Sequence, residues 1–327
     1  MAFSTVTVFV TFLAFISIAS AHGFVTKITV LGDNNKDYPG FDPSTPKEVP
    51  PGLDVAWSTS ASDQGYMSSS NASYHSKDFI CHRNAKPAPD AAQVHAGDKV
   101  QLHWTQWPGP EDHQGPILDY LASCNGPCSN VEKASLKWTK IDEAGRFPNG
   151  TWATDLLRNG GNTWNVTIPS DLAPGEYVLR NEIIALHSAR NMGGAQHYMQ
   201  CVNLNVTGTG HRELQGVSAA EFYNPTDPGI LINVWQTQSL SSYHIPGPTL
   251  LAADTGNDGG HSASSTLATV TSRRLSTPSD AMPGNGSYGA ISPPLKPAKG
   301  FHPVCNARFR HGSTFTLTTL VAPPART

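Results

Sequence analysis

Between residue 22 and about residue 254 the chain runs as short segments in which apolar and polar residues alternate, or β-branched and aromatic residues cluster: VTKITVLG, DKVQLHWT, SLKWTKID, TWNVTIP, GEYVLRNEIIAL, QHYMQCVNLNVTG and ILINVW. Clusters of Pro, Gly and Asn separate them. A period of two puts one face of a strand on a core and the other in solvent, and evenly spaced short strands bounded by turn residues predict a sandwich. The expected fold is mainly β: an immunoglobulin/fibronectin-like antiparallel β-sandwich with long loops and short helices. One short turn of helix is expected around PILDYLASC. All seven tryptophans (Trp57, Trp104, Trp107, Trp138, Trp152, Trp164 and Trp235) fall in this body, enough large apolar side chains for one core.

The two ends of the chain read differently. Residues 1–21 carry no charged side chain, hold the apolar run VFVTFLAFI, and close on Ala19-Ser20-Ala21, a small-residue cleavage pattern. This predicts a cleaved signal peptide whose only positive charge is the initiator amine. The run is too short, and too interrupted by Ser and Thr, for a membrane anchor. The expected mature chain starts at His22, is secreted, and meets an oxidising extracellular setting. Five triplets, at Asn71, Asn149, Asn165, Asn205 and Asn285, are possible N-glycan acceptors. Residues 255–327 hold no Trp, 19 Ser plus Thr and 16 Gly plus Pro in 73 positions, which predicts a disordered tail after a sandwich of residues 22–254.

Charge narrows the choice of partner. Against 25 acidic residues stand 22 basic ones, a net charge of -3, so there is no polycationic surface for a phosphate backbone and nucleic acid is not an expected partner. No GxSxG, HExxH, P-loop or CxxC signature is present; a carboxylate pair for hydrolysis has no fixed spacing and stays open.

The histidines offer more. Cleavage after Ala21 would leave His22 with a free α-amine beside its imidazole, two nitrogen donors that can close a chelate ring on a metal. The amine's ordinary pKa is near 8, so a metal displaces its proton readily. A third nitrogen from a distant histidine would complete a planar set, the geometry Cu(II) favours. On the terminus alone, the better reading of His22 is no more than the place where a peptidase cuts. His103 alternates with Val100, Leu102 and Trp104 and so belongs on the outer face of its strand, while His75, His82 and His95 sit in polar segments. No second metal cluster is spaced for ligation.

Several separated motifs then occur in order: His22-Gly23-Phe24-Val25; WPGPEDHQGPILDYLASC from Trp107 through His113 to Cys124; LRNEIIALHS from Leu179 to Ser188; GAQHYMQC from Gly194 to Cys201; and Tyr243-His-Ile-Pro-Gly-Pro248. Together they closely resemble fungal lytic polysaccharide monooxygenases of auxiliary activity family nine, over residues 22 to about 254. The resemblance implies one copper ion per chain, held by the amine and Nδ1 of His22 and Nε2 of His113, with the Tyr198 hydroxyl axial. It implies that His187 and Gln196 hydrogen-bond the reacting oxygen species. On a strand, Gln196 and Tyr198 share one face, while Cys201 points the other way, as does His197, which reads as an ordinary packed residue. Asn181 and Met199 depart from the family's usual His and Pro, and neither is a ligand.

The implied activity is oxidative cleavage of cellulose or a related β-1,4-glucan by hydroxylation at C1 and/or C4, with an external electron donor and O2 or H2O2. A monomer is expected. Tyr243 is the candidate sugar-stacking residue, with packing within its loop the equal alternative. The rival functions are a noncatalytic secreted copper- or carbohydrate-binding protein and a carboxylate-pair endoglucanase. Of five cysteines, two bridges can be drawn in 15 ways. The resemblance implies Cys81 with Cys201 and Cys124 with Cys128, leaving Cys305, in the tail, as the odd thiol.

Overall fold

The computed structural model describes residues 23–32, 35–109, 112–236 and 243–252. The signal peptide, His22, Asn285, the 255–327 tail and Cys305 lie outside the described residues. Within them, strands run in the order β1 Val25–Leu31, β2 Lys36–Pro39, β3 Met67–Ser69, β4 Ala92–His95, β5 Lys99–Trp104, β6 Ile117–Ser123, β7 Thr139–Ala144, β8 Thr163–Thr167, β9 Gly175–Ala185 and β10 Gly193–Thr207. One sheet has the order β2-β1-β5-β8; the other runs β3-β10-β9-β6-β7, with β4 parallel to the end of β10. All other pairings are antiparallel. The β-sandwich is the fold expected from the alternating segments.

The two sheets show different burial for a physical reason. On β5, Val100, Leu102 and Trp104 face the inter-sheet core while Lys99, Gln101 and His103 face outward, the mark of a sheet wet on one side. His103 bonds Thr29 Oγ1 through Nε2 at 3.1 Å on that outer face. On β9, by contrast, Tyr177 to Ala185 are buried without a break. The outer face of this sheet is covered by loops that bring Trp57, Phe79, Trp138, Phe222 and Tyr223 onto it as a second apolar cluster. Burial of apolar surface on both faces at about 25 cal/mol per Å² is what holds these long loops down.

Double coverage explains where the sequence pattern misleads. PILDYLASC forms strand β6, not a helical turn: Ile117 and Leu121 enter the inter-sheet core, Leu118, Tyr120 and Ala122 the outer cluster. A strand buried on both faces has no period of two to read. ILINVW is a chain of turns, with the Ile230 and Leu231 amides on the Asp227 carbonyl, and it is apolar because Ile230 and Val234 dock on the outer cluster. Helix α1 (Asn71–Tyr74) and helix α2 (Ala153–Asn159) supply the short helices. Two disulfides tie the loops to the sheet. Cys81–Cys201 anchors the 55–89 region on β10 with Cα atoms 5.6 Å apart, and Cys124–Cys128 closes a tight turn at 5.2 Å.

His82 is not in an open polar segment. It is buried, its Nε2 donates to the Gly65 carbonyl at 2.9 Å, and its Nδ1 accepts the Arg83 amide. Burial pushes its pKa down to about 4.

Candidate metal centre

Strand register brings the candidate residues to one end of the sandwich. Val25 pairs with Trp104, so the start of β1 lies beside the end of β5. In the other sheet Ile117 pairs with Ile183, and Ala185 with Gln196, so β6 begins where β9 ends and β10 starts. The loop from Thr105 to Pro116 joins the two sheets at this end and carries Trp107 and His113.

His113 is placed by backbone pairing. The Ile184 amide donates to the Pro116 carbonyl at 3.1 Å and the Leu186 amide to the Gln114 carbonyl at 2.8 Å, so residues 114–116 run alongside the end of β9. Gly115 permits this approach, since a Cβ there would collide with the Ile184 carbonyl oxygen. His113 and His187 are thereby adjacent, their rings 4.3 Å apart and tilted by 37°. Thr154 on α2 braces the same segment, its Oγ1 accepting the Gly115 amide at 3.1 Å.

Gln196 and Tyr198 do share a face of β10. The Tyr198 hydroxyl donates to Gln196 Oε1 at 2.9 Å, and its ring enters the inter-sheet cluster while Met199 and Cys201 enter the outer one. Burial raises the Tyr198 pKa, with Tyr66 and Asp63 adding to the effect, so its phenol stays protonated. His197 points away as expected. It is fully buried, its Nδ1 donates to Glu182 Oε1 at 2.7 Å, and its Nε2 meets the Tyr74 hydroxyl at 3.1 Å.

Trp107 joins these pieces. Its Nε1 donates to the His113 carbonyl at 3.1 Å, and its ring meets Tyr198 edge-on at 5.1 Å and His113 at 5.9 Å. The first described residue, Gly23, lies against the same indole: a Cβ there would be 3.5 Å from the Trp107 ring and 2.6 Å from Thr105 Oγ1. Phe24 and Thr105 exchange hydrogen bonds that fix residues 23–24 in this place. A cleft lined by Gly23, Phe24, Tyr198 and Gln200 opens there. His22 is one peptide from Gly23, a Cα step of about 3.8 Å.

The described donors at this end of the sandwich are the His113 imidazole and the Tyr198 phenol, held neutral by burial, nitrogen and oxygen groups of a kind that Cu(II) accepts. Comparison with known proteins bears on the same residues. Residues 22–243 match the model of Auxiliary Activity family 9, formerly GH61. The chain belongs to auxiliary activity family 9. It is 47% identical over 249 residues to the AA9 family lytic polysaccharide monooxygenase A of Talaromyces verruculosus, covering 75% of this chain and 74% of the relative. With the AA9 family lytic polysaccharide monooxygenase A of Thermoascus aurantiacus it shares 49% over 238 residues, 70% of this chain and 99% of the other. The extended catalytic domain of H. jecorina LPMO9A superposes with a TM-score of 0.65 at 44% identity, over 74% of this chain and 96% of that one. As an AA9 enzyme it is a lytic polysaccharide monooxygenase, which cleaves polysaccharide oxidatively and draws on an external reductant.

Tyr243 is not gathered with the other candidates. It is half-buried, its hydroxyl donates to the Gly229 carbonyl at 2.8 Å, and Trp152 meets its ring edge-on at 4.9 Å. Trp235, within a run read from the sequence as a strand, is instead 46% exposed and donates Nε1 to the His187 carbonyl at 2.9 Å. An indole ending an apolar run that breaks into polar residues was the available signal for it.

Proposed function

We propose that this AA9 enzyme is a copper-dependent monooxygenase of β-1,4-glucans, cellulose foremost, hydroxylating C1 and/or C4 of the chain. The observation that supports the reading is the convergence of Gly23, His113 and Tyr198 on the Trp107 indole; His22, the residue before Gly23, would add an amine and an imidazole once cleavage after Ala21 frees it. The His22 pair of nitrogens and the His113 imidazole would hold the ion. Copper, when bound, supplies one-electron chemistry that activates O2 or H2O2 once an external donor has reduced it.

The protein's own groups do the rest. Burial keeps the Tyr198 phenol neutral, so it remains a weak donor whose proton is committed to Gln196 Oε1. That bond holds the Gln196 carboxamide by its oxygen and leaves the NH2 group as the donor this side chain has to offer. His187, its ring tilted against that of His113, places a second imidazole beside the proposed ligand ring for proton transfer. Trp107 holds the His113 backbone and closes the inter-sheet side of the centre with an indole in place of water. The exposed Trp235 indole, tethered to the His187 carbonyl, gives sugar rings a stacking surface at its rim. Tyr243 remains the second candidate for that role.

The deciding experiment uses mature protein with His22 as its first residue, loaded with one equivalent of copper and supplied with ascorbate and cellulose. Aldonic or C4-oxidised oligosaccharides are expected. Chelation should abolish them. Unoxidised ends that survive chelation would indicate an endoglucanase, and copper binding without products on several glucans would indicate a noncatalytic protein.

A further inference from the structure

The Asn-x-Ser/Thr triplets within the described residues meet different fates in the fold. Asn205 lies half-buried on β10 between β4 and β9, and its Nδ2 donates to Gln93 Oε1 at 3.2 Å. Asn165 stands on the outer face of β8 with its Oδ1 taken by Gln101 Nε2 at 2.9 Å. Asn71 opens α1, and the Ser73 hydroxyl of its triplet is engaged by Ser68 and Ser70, each at 3.0 Å.

Asn149 is exposed, as Asn71 and Asn165 are, but it alone of these triplets stands at a turn and not in a helix or strand. It sits at the tip of a hairpin whose stem is closed by the Arg146–Trp152 bridge and by the Phe147 amide on the Thr151 carbonyl at 2.8 Å. Pro148 and Asn149 are exposed, and Gly150 takes the left-handed φ of 91° that turns the chain back. Asn149 Oδ1 accepts the Thr151 amide at 3.1 Å, forming a turn between the first and third residues of the triplet itself. Oδ1 is thus committed to the turn while the residue itself is exposed.

We propose that Asn149 is an N-glycosylation site. Its Nδ2 attacks C1 of an oligosaccharide carried on a lipid pyrophosphate: the N–C1 bond forms, the C1–O bond to the pyrophosphate breaks, and one amide proton is lost. The branched glycan is accommodated because the hairpin tip is exposed, Pro148 and Asn149 belonging to neither apolar cluster. The stem returns through Trp152 to Thr154 and its bond with Gly115, so the glycan stands on the segment that braces the His113 loop. The inference rests on export of the chain, and the test separates the two.

The full chain is produced in a eukaryotic host in two forms, with its own leader and with an unrelated secretion leader. Secreted protein is treated with peptide N-glycosidase in heavy-oxygen water and mapped by mass spectrometry. Both arms should carry labelled aspartate at position 149. Asn149→Gln and Thr151→Ala should remove that glycan and Thr151→Ser retain it, with copper affinity unchanged in all three. An unmodified Asn149 peptide in secreted protein from either leader overturns the proposal. Retention of the own-leader form in the cell, beside a labelled residue 149 in the other arm, overturns export by residues 1–21 and supports the site.

Discussion

Glu182 offers the sharpest test of how the sheet beneath the metal centre is held. It is fully buried in the outer cluster, where Arg180 Nη1 donates to it at 2.6 Å, His197 Nδ1 at 2.7 Å and the Tyr223 hydroxyl at 2.6 Å. Burial alone would raise its pKa. The Arg180 charge and the His197 hydrogen bond reverse this and hold the carboxyl at about 2, against an ordinary 4.5. That difference corresponds to about 3 kcal/mol of stability at neutral pH, on a scale of about 1.36 kcal/mol per pH unit. Removal of the carboxylate leaves Arg180 fully buried with only the Phe79 and Ile80 carbonyls, a loss expected at about 3–5 kcal/mol. For a body of this size each kcal/mol moves Tm by about 2–4 °C, so Glu182→Ala should melt about 6–20 °C lower at pH 7. The sign with pH is fixed as well. A depressed carboxylate gives full stabilisation above its unfolded pKa and loses it as pH falls toward 2, so the gap between native and variant proteins should shrink below about pH 4.5. Thermal melting by circular dichroism of both copper-free proteins, from pH 7 down to pH 3, checks both statements. A variant melting within about 2 °C of the native protein at pH 7 would refute the reasoning.

Three further outcomes follow from the same structure. His113→Ala should lower copper affinity by more than about a hundredfold in calorimetric titration, since a direct ligand outweighs the outer-shell partners, whose loss is worth about 10–100-fold. An unchanged isotherm would remove His113 from the centre. Gly115→Ala drives a methyl group into the Ile184 carbonyl and should lower stability by at least about 1–3 kcal/mol in urea denaturation, with the His113–His187 contact disturbed. His82, held neutral with a pKa lowered to about 4, binds a proton more readily when unfolded; its contribution is complete above about pH 6.5 and is lost as pH falls toward 4. His82→Asn, which suits the left-handed φ of 83° there, should flatten the fall in urea midpoint between pH 7 and pH 4.

How far each feature could be read from the sequence depends on whether its cause is local. Alternation in DKVQLHWT reports β5 faithfully because one face of that strand meets water. PILDYLASC hides β6 because both faces meet apolar clusters that come from residues far along the chain, such as Phe222 packing at 4.5 Å on Tyr120. The same division runs through the metal centre. Gln196 and Tyr198 lie two apart on one strand, and the period of two suffices to put them on one face. His22 and His113, by contrast, are 91 positions apart. No pattern near either residue announces the other; the ordered family motifs are what link them in the proposed site. What joins those distant segments is backbone pairing across the sheet end: Val25 with Trp104 in one sheet, and the Gln114 and Pro116 carbonyls with the end of β9 in the other. The local trace of that pairing is Gly115, small because Ile184 leaves no room for a side chain. HQGP is therefore a packing motif as well as the proposed ligand motif: His113 lies beside His187 because the glycine two residues later lets the loop lie against β9.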